Sequence, residues 1–200
     1  MNIACLLAGC NSGVDAVPVV RSGEQFNQLV SEAETLSKPA LQKVENGAPI
    51  DDADKESLKK ARYIFLGLRD YAPSTPTAHF ALGKISRALE DDATALDHFN
   101  QVITIVSSLK KRSDQETTIL AESYGEISRM MVLRGQIQDA GTAADSARQL
   151  MPADPRYQVD QASVLIQAKR EKEAKGLLKS ILAVDPTNRR AKALQTLLGD

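Results

Sequence analysis

The chain has 200 residues, of which 42% are hydrophobic and 26% are charged, the proportions of an ordinary globular protein. Its 25 Lys and Arg residues nearly balance 26 Asp and Glu residues, and the net charge of −1 excludes a strongly basic nucleic-acid binder and a polyacidic tail protein. Two Cys and two His exclude a disulfide framework and leave little material for a metal cluster, and no apolar run is long enough to cross a membrane.

The first residues predict a lipid anchor. The segment Leu7-Ala8-Gly9-Cys10 resembles the lipobox of bacterial lipoproteins, where a signal peptidase cuts before a cysteine that carries lipid. On this resemblance residues 1–9 are part of a signal, Cys10 is the lipidated residue, and residues 10–21 form a flexible tether. The resemblance implies a membrane-anchored lipoprotein of the bacterial cell envelope, on the periplasmic face of the outer membrane.

The sequence before Cys10 departs from that pattern. A signal has a basic segment followed by 7–15 apolar residues, whereas only nine residues precede Cys10 here and none is basic. Two interpretations stay open: the true start lies upstream of Met1, or the resemblance is accidental and the protein is cytoplasmic.

Residues 22–75 predict a degenerate pair of helices. We expect the first helix at about 23–46, with a break near Pro39 because proline disrupts a helix interior. A loop follows at 46–49, and a second helix ends near Tyr71.

Three carboxylates, Asp51, Asp52 and Asp54, stand at the start of this second helix. They resemble part of a calcium-binding loop, but the glycine at its sixth position and the glutamate at its twelfth are missing. We interpret them as the N-cap and the acidic first turn of the helix.

Four alanines and two prolines recur at a fixed spacing further along the chain. Ala61 and Ala95 are 34 residues apart, as are Ala140 and Ala174, and Pro152 and Pro186. Ala95 and Ala140 are 45 apart, so eleven extra residues lie between those two units. A fixed period of this length predicts stacked helical repeats.

The spacing resembles the tetratricopeptide repeat (TPR), a 34-residue helix–turn–helix unit. Units 76–109, 121–154 and 155–188 carry its small residues. The first unit has the aromatic residue Phe99 but Ser107 in place of the closing proline, and the other two units have Pro152 and Pro186. The resemblance implies an all-α, right-handed superhelical array over 76–199, closed by a capping helix with Leu194, Leu197 and Leu198 inward.

The eleven extra residues contain the basic cluster Lys110-Lys111-Arg112. We expect an extension of the preceding helix, a turn, and an early start for the next helix, capped by Ser113 or Asp114. A protruding elbow that binds a partner is the alternative.

The first helices of TPR units form a concave groove, usually through their positions 2, 5, 9 and 12. The resemblance therefore implies a set of groove residues for binding a partner. These are Thr77, Phe80, Lys84 and Arg87 in the first unit, Glu122, Gly125, Arg129 and Val132 in the second, and Arg156, Val159, Ser163 and Ile166 in the third.

Four of these residues are Lys or Arg and one is acidic, which predicts a mildly basic groove suited to an acidic peptide. The alternative is that each cation extends into water and is screened. On the first interpretation, Arg129→Glu with Arg156→Glu weakens partner capture and leaves the melting temperature nearly unchanged.

Catalytic and metal-binding patterns are missing from the sequence. It contains no G-x-S-x-G, no phosphate-binding loop, and no H-x-x-x-H. His79 and His98 fall on the two helices of one unit and could approach each other, but a metal site needs three or four converging ligands. The Lys and Asn clamp by which some TPR proteins hold a chaperone's C-terminal carboxylate is not met, since Glu126 and Asp160 occupy corresponding places.

These observations predict a non-catalytic protein that binds a protein or peptide, with no cofactor, no metal and no nucleic acid. Together with the lipobox they predict an envelope scaffold that assists assembly of a pilus, secretion or outer-membrane machine. The alternative is a cytoplasmic TPR adaptor or secretion chaperone.

Overall fold

A computed structural model describes residues 17–199, which form nine α-helices and contain no strand. None of these helices is long and apolar enough to cross a membrane. The helices are α1 (Gly23–Glu45), α2 (Asp52–Tyr71), α3 (Pro76–Ala88), α4 (Asp92–Ser107), α5 (Asp114–Leu133), α6 (Ile137–Leu150), α7 (Pro155–Gln167), α8 (Glu171–Val184) and α9 (Arg189–Leu197).

The chain divides into two compact units, Met1–Pro73 and Ser74–Asp200. In the first unit α1 packs along α2. Helix α1 runs through Pro39 without a break, which corrects the expectation of a break there. The reason is that Pro39 lies on the exposed face, where water can bond the carbonyl that the proline leaves without a partner, while the neighbouring Ser37 and Ala40 are buried.

The predicted N-cap of α2 is confirmed. The Asp51 carboxylate accepts a hydrogen bond from the Asp54 backbone N–H, and the Asp54 carboxylate accepts one from the Asp51 N–H, which makes a capping box. Lys43 Nζ, near the end of α1, donates to Asp54 Oδ2 at 2.6 Å. This contact holds the end of α1 to the start of α2.

The end of the predicted tether packs against α2. A Cβ added to Gly67 would lie 2.3 Å from the carbonyl oxygen of Pro18, so only glycine allows the chain to approach the helix this closely. Val20 is also buried. The prediction of a flexible tether over 10–21 is therefore corrected at 18–20; residues 1–16, including the predicted lipidation site Cys10, lie outside the described residues.

In the second unit the helices alternate between two roles. We call α3, α5 and α7 the A helices and α4, α6 and α8 the B helices. Each A helix packs against its own B helix and the next A helix, and each B helix packs against the following A helix or α9. The prediction of an all-α array of helical pairs closed by a further helix is confirmed. Leu194 and Leu198 of the closing segment pack on the core as predicted, whereas Leu197, also predicted to face inward, is exposed.

Small residues allow the helices of a pair to approach closely. A Cβ on Gly83 of α3 would lie 2.7 Å from Cε1 of Phe99 on α4, so the aromatic ring fills the space that glycine leaves. Ala95, Ala140 and Ala174, the recurring alanines of the B helices, are fully buried, as the 34-residue spacing predicts.

Prolines set where the helices end. Helices α2, α6 and α8 each end two residues before a proline: Pro73, Pro152 and Pro186. Helix α4 has Ser107 at the corresponding position and extends to that residue. Helix α5 then begins at Asp114, with Ser113 as its N-cap, so the extra residues between the units become a six-residue connection and an early helix start.

Candidate partner-binding groove

The A helices and α9 lie side by side in the second unit, so residues at equivalent positions of successive helices come together. Glu126 and Asp160 are 34 residues apart and occupy the same position of α5 and α7. Both carboxylates lie between arginines of neighbouring helices, and this arrangement forms the most extensive ionic cluster of the groove wall.

Five charged side chains alternate in sign across four helices, and we call them the ion-pair ladder. Arg87 of α3 pairs with Glu126 of α5. Arg129 of α5 pairs with Glu126 and with Asp160 of α7, each at 2.6 Å. Arg190 of α9 pairs with the other oxygen of Asp160, also at 2.6 Å. The ladder thus joins every A helix to the next and joins α7 to α9.

The carboxylates of the ladder are buried more deeply than its guanidinium groups. The Asp160 side chain is 0% exposed and that of Glu126 is 12% exposed, whereas Arg190 is 45% exposed. A buried charge without a partner would be very costly, so the two arginines that pair with Asp160 are necessary for its burial.

Arg87 is also perturbed by its surroundings. Burial, together with the positive charge of Arg129, lowers the pKa of Arg87 to about 10, and Arg190 acts in the same direction. Burial is the larger cause, and the attraction of Asp92 and Asp160 offsets part of the shift. Within the ladder itself, three guanidinium groups share two carboxylates. The ladder therefore carries one more positive than negative charge.

A second ionic cluster lies beside the ladder. Arg156 of α7 donates through Nε and Nη2 to Asp154 and through Nη1 to Glu122 of α5, at 2.7–3.1 Å. These hydrogen bonds raise the pKa of Arg156, the bond to Asp154 contributing most. Glu122 and Arg156 occupy position 2 of successive units, so the cluster also repeats across neighbouring A helices.

Two of the predicted groove residues, Val159 and Gly125, are buried, and two more, Phe80 and Val132, are half-buried and pack against core clusters. Val159 is 1% exposed and packs with residues of α8 and α9, so it has no free surface for a partner. Phe80 packs on Phe99 and a cluster of α4 and α5, and Val132 packs on a cluster of α6 and α7. Position 5 of the three units is occupied by Phe80, the buried Gly125 and Val159. The following A helix, or α9 in the last unit, packs over this position.

The other predicted residues keep some exposed surface. Thr77, Ser163 and Ile166 are half-buried, and Lys84 Nζ lies 5.7 Å from the centre of the Phe80 ring. Arg87, Glu122, Arg129 and Arg156 are the remaining members of the predicted set, and all belong to the two ionic clusters.

The prediction of a mildly basic groove is corrected by these ion pairs. Four arginines of the wall, at 87, 129, 156 and 190, face four carboxylates, at 122, 126, 154 and 160. The reversal of Arg129 and Arg156 to Glu would place like charges beside Asp160 and Glu122. The variant predicted to keep its melting temperature would therefore lose stability.

Sequence reasoning missed the role of Glu126 and Asp160 and missed Arg190 altogether. It treated the two carboxylates only as departures from a chaperone-binding clamp. Their spacing of 34 residues was the signal that could have found them, because equal positions of successive A helices share one wall. Arg190 lies on the capping helix, where the groove positions were not counted.

The two histidines approach each other as the sequence suggested. His79 Nδ1 and His98 Nδ1 are 3.2 Å apart, a hydrogen-bonding distance. Among residues 17–199 no group of three or more His, Cys, Asp or Glu side chains is placed to hold a metal ion.

The fold and the groove define a helical-repeat protein with a wall built from successive first helices. Residues 131–198 match the sequence model of the tetratricopeptide repeat family. No curated protein sequence matches the chain significantly.

Solved TPR structures are similar to this chain in fold. The crystal structure of the APC/C hetero-tetramer Cut9–Hcn1 matches with a TM-score of 0.65 and 17% identity over 88% of this chain and 34% of that one, so this chain spans about a third of its length. The thermophilic TPR protein TTC0263 of Thermus thermophilus matches with a TM-score of 0.56 and 17% identity over 84% and 83% of the two chains. Residues 131–198 are thus similar in sequence to tetratricopeptide repeats, and the fold of the chain is similar to that of TPR proteins.

Proposed function

We propose that the chain is a non-catalytic scaffold that binds a protein or peptide in the groove formed by α3, α5, α7 and α9. TPR proteins are generally interaction scaffolds, and one similar structure belongs to a hetero-tetramer. The observation that carries the proposal is the ion-pair ladder, which fixes four helices side by side and leaves arginine side chains partly exposed along one wall. A wall that is rigid before binding loses little conformational entropy when a partner binds.

The test of this proposal blocks the groove without removing an ion pair. Ser163, half-buried and at the same repeat position as Arg129, is replaced by Trp in the full-length chain; Ser180→Trp, on the exposed surface of α8, is the matched control. We expect both variants to keep the helical circular dichroism of the unchanged protein. Partners captured from native cells should be lost with Ser163→Trp and kept with Ser180→Trp. Equal capture by the two variants would place the binding surface elsewhere.

We further propose that Cys10 carries a lipid and anchors this scaffold in the bacterial envelope, where it assists assembly of a pilus, secretion or outer-membrane machine. The support is the order of residues in Leu7-Ala8-Gly9-Cys10. A protein anchored through one residue can hold its partner close to the membrane. The alternative function is a cytoplasmic TPR adaptor or secretion chaperone.

Fractionation separates these two locations. The gene expressed with its native upstream sequence should give a protein that sediments with membranes and incorporates labelled palmitate, and Cys10→Ala should move it to the soluble fraction. Equal solubility of the two forms would support the cytoplasmic alternative. Cys5→Ala is the control, since Cys5 would lie in the removed segment.

A further inference from the structure

Hydrogen-bond donors and acceptors are unequal in the ion-pair ladder. Each of the four oxygens of Glu126 and Asp160 already pairs with one guanidinium nitrogen. Each of the three arginines has five N–H donors. The Glu126 and Asp160 side chains are 12% and 0% exposed, whereas Arg190 is 45% exposed and has N–H groups that make no bond within the described part of the chain. A group that reaches the ladder from solvent therefore meets donors and must supply an acceptor.

The uncommitted donors are most accessible at Arg190. Arg129 uses Nη1 for Asp160 and Nη2 for Glu126, and its side chain is 25% exposed. Arg190 is 45% exposed and uses only Nη2, and Asp160 is its only ionic or hydrogen-bonding partner among the described residues. Its planar guanidinium can form two parallel hydrogen bonds to a second carboxylate.

The charge of the ladder points to the same ligand. Within the ladder three guanidinium groups face two carboxylates; Arg129 and Arg190 act on Arg87 by repulsion, while Asp92 and Asp160 act on it by attraction. An additional carboxylate at Arg190 would complete the alternation of signs across the wall. A cationic or neutral group would gain no such stabilisation.

We propose that Arg190 is a docking point for an acidic side chain of the protein partner, at the end of the groove formed by the capping helix. This inference rests on the proposed function and adds a residue that determines which partner binds. Arg156, although more exposed, does not compete for this role because each of its three nitrogens already donates to Asp154 or Glu122, whose two carboxylates outnumber its single charge. The attraction between the groove wall and an acidic side chain is therefore confined to the end of the wall formed by α9.

Nuclear magnetic resonance can observe the guanidinium group of Arg190 directly. The full-length chain is labelled with ¹⁵N-arginine, and its Nε–Hε resonances are recorded while a blocked hexapeptide of alternating Glu and Ser is added at constant ionic strength. The same peptide with Gln in place of Glu is the neutral control. We expect the Arg190 resonance to shift to saturation with the Glu peptide alone, and the Arg189 resonance to stay in place.

Three single substitutions make the comparison quantitative. Arg190→Gln should weaken binding of the Glu peptide by about tenfold or more, since loss of one partner of a charged hydrogen bond has at least this effect. Arg189→Gln, with the same charge change on the adjacent, exposed residue, should weaken it less than about twofold. Arg190→Lys should restore part of the affinity if folding is intact, because the charge remains and the planar fork is lost.

Several results would overturn the proposal. They are equal shifts with the Glu and Gln peptides, equal effects of Arg189→Gln and Arg190→Gln, and an affinity for inorganic phosphate that exceeds the affinity for the Glu peptide. Failure of the proposed function is separable from these results. Partner capture that is sensitive to Ser163→Trp but unaffected by Arg190→Gln would retain the groove and reject the docking point.

Discussion

Arg129 and Asp160 are 31 residues apart in the sequence and 2.6 Å apart in the structure. One carboxylate oxygen of Asp160 accepts a hydrogen bond from Arg129 on the preceding A helix. The other oxygen accepts a hydrogen bond from Arg190 on the capping helix. One fully buried carboxylate therefore fixes the positions of three helices at the wall where we propose that the partner binds.

Asp160→Asn tests the ladder. Asparagine keeps the shape of the side chain, but Arg190 loses its counter-charge and Arg129 keeps only Glu126. Because both arginines are partly exposed, the cost is that of lost hydrogen bonds to a charged group, about 1.5–3 kcal/mol. We expect the free energy of unfolding, measured with denaturant, to fall by roughly that amount. Glu173→Gln is the control, because the Arg170–Glu173 pair is exposed and should contribute little. Equal losses would show that the ladder does not stabilise the fold.

Gly83→Ala tests the closest approach between α3 and α4. The added methyl group would lie 2.7 Å from Cε1 of Phe99, and the strain of overpacking is typically about 1–3 kcal/mol. Gly176 lies in helix α8 with nothing within 4 Å of an added Cβ. Gly176→Ala should instead stabilise the protein by about 0.5–1 kcal/mol. Thermal melting that shifts in opposite directions for the two variants is the expected result.

Ala140→Leu tests the buried alanines of the B helices. Ala140 is fully buried in a cluster with Ala144 and Val164, so the larger side chain has no space and should destabilise the fold by about 1–3 kcal/mol. Ala183 on α8 is exposed, and Ala183→Leu should change stability far less. Similar melting temperatures for both variants would contradict the packing described for α6.

The stability of the first unit should depend on pH through Asp54. The hydrogen bond from Lys43 lowers the pKa of Asp54 below its ordinary value of 3.8. A carboxyl group with a lower pKa in the folded state stabilises that state above the unfolded value, and this contribution is lost as the pH falls through the folded value. Between about pH 6 and pH 3, the unchanged protein should therefore lose more stability than Asp54→Asn does. Parallel pH profiles of the two proteins would contradict this assignment.

Much of the fold was predictable because it follows from residues that repeat. The residues at 95, 140 and 174 lie where two helices cross, so their side chains must be small, and a proline cannot continue a helix. Because each requirement recurs once per repeat, it is visible in the sequence as a fixed spacing. The exception is Pro39. Its place on the exposed face of α1 depends on the packing of that helix against α2, which local sequence does not specify.

The groove was less predictable because a position number does not say whether the next helix covers a side chain. Val159 is apolar and falls at a predicted groove position, yet residues of α8 and α9 bury it. The arginines at 129 and 156 were correctly placed on A helices, but their partners come from other repeats. Pairing across repeats depends on the distance between helices, and only the three-dimensional structure gives that distance.

We propose that the groove wall of the second unit contacts the partner. The most direct test is photo-crosslinking in native cells, with a benzophenone amino acid at Ser163 in the groove or at Ser180 on the exposed surface of α8. We expect a discrete crosslinked product from position 163 and none from position 180. A product from position 180 alone, or from both positions in equal yield, would contradict the account.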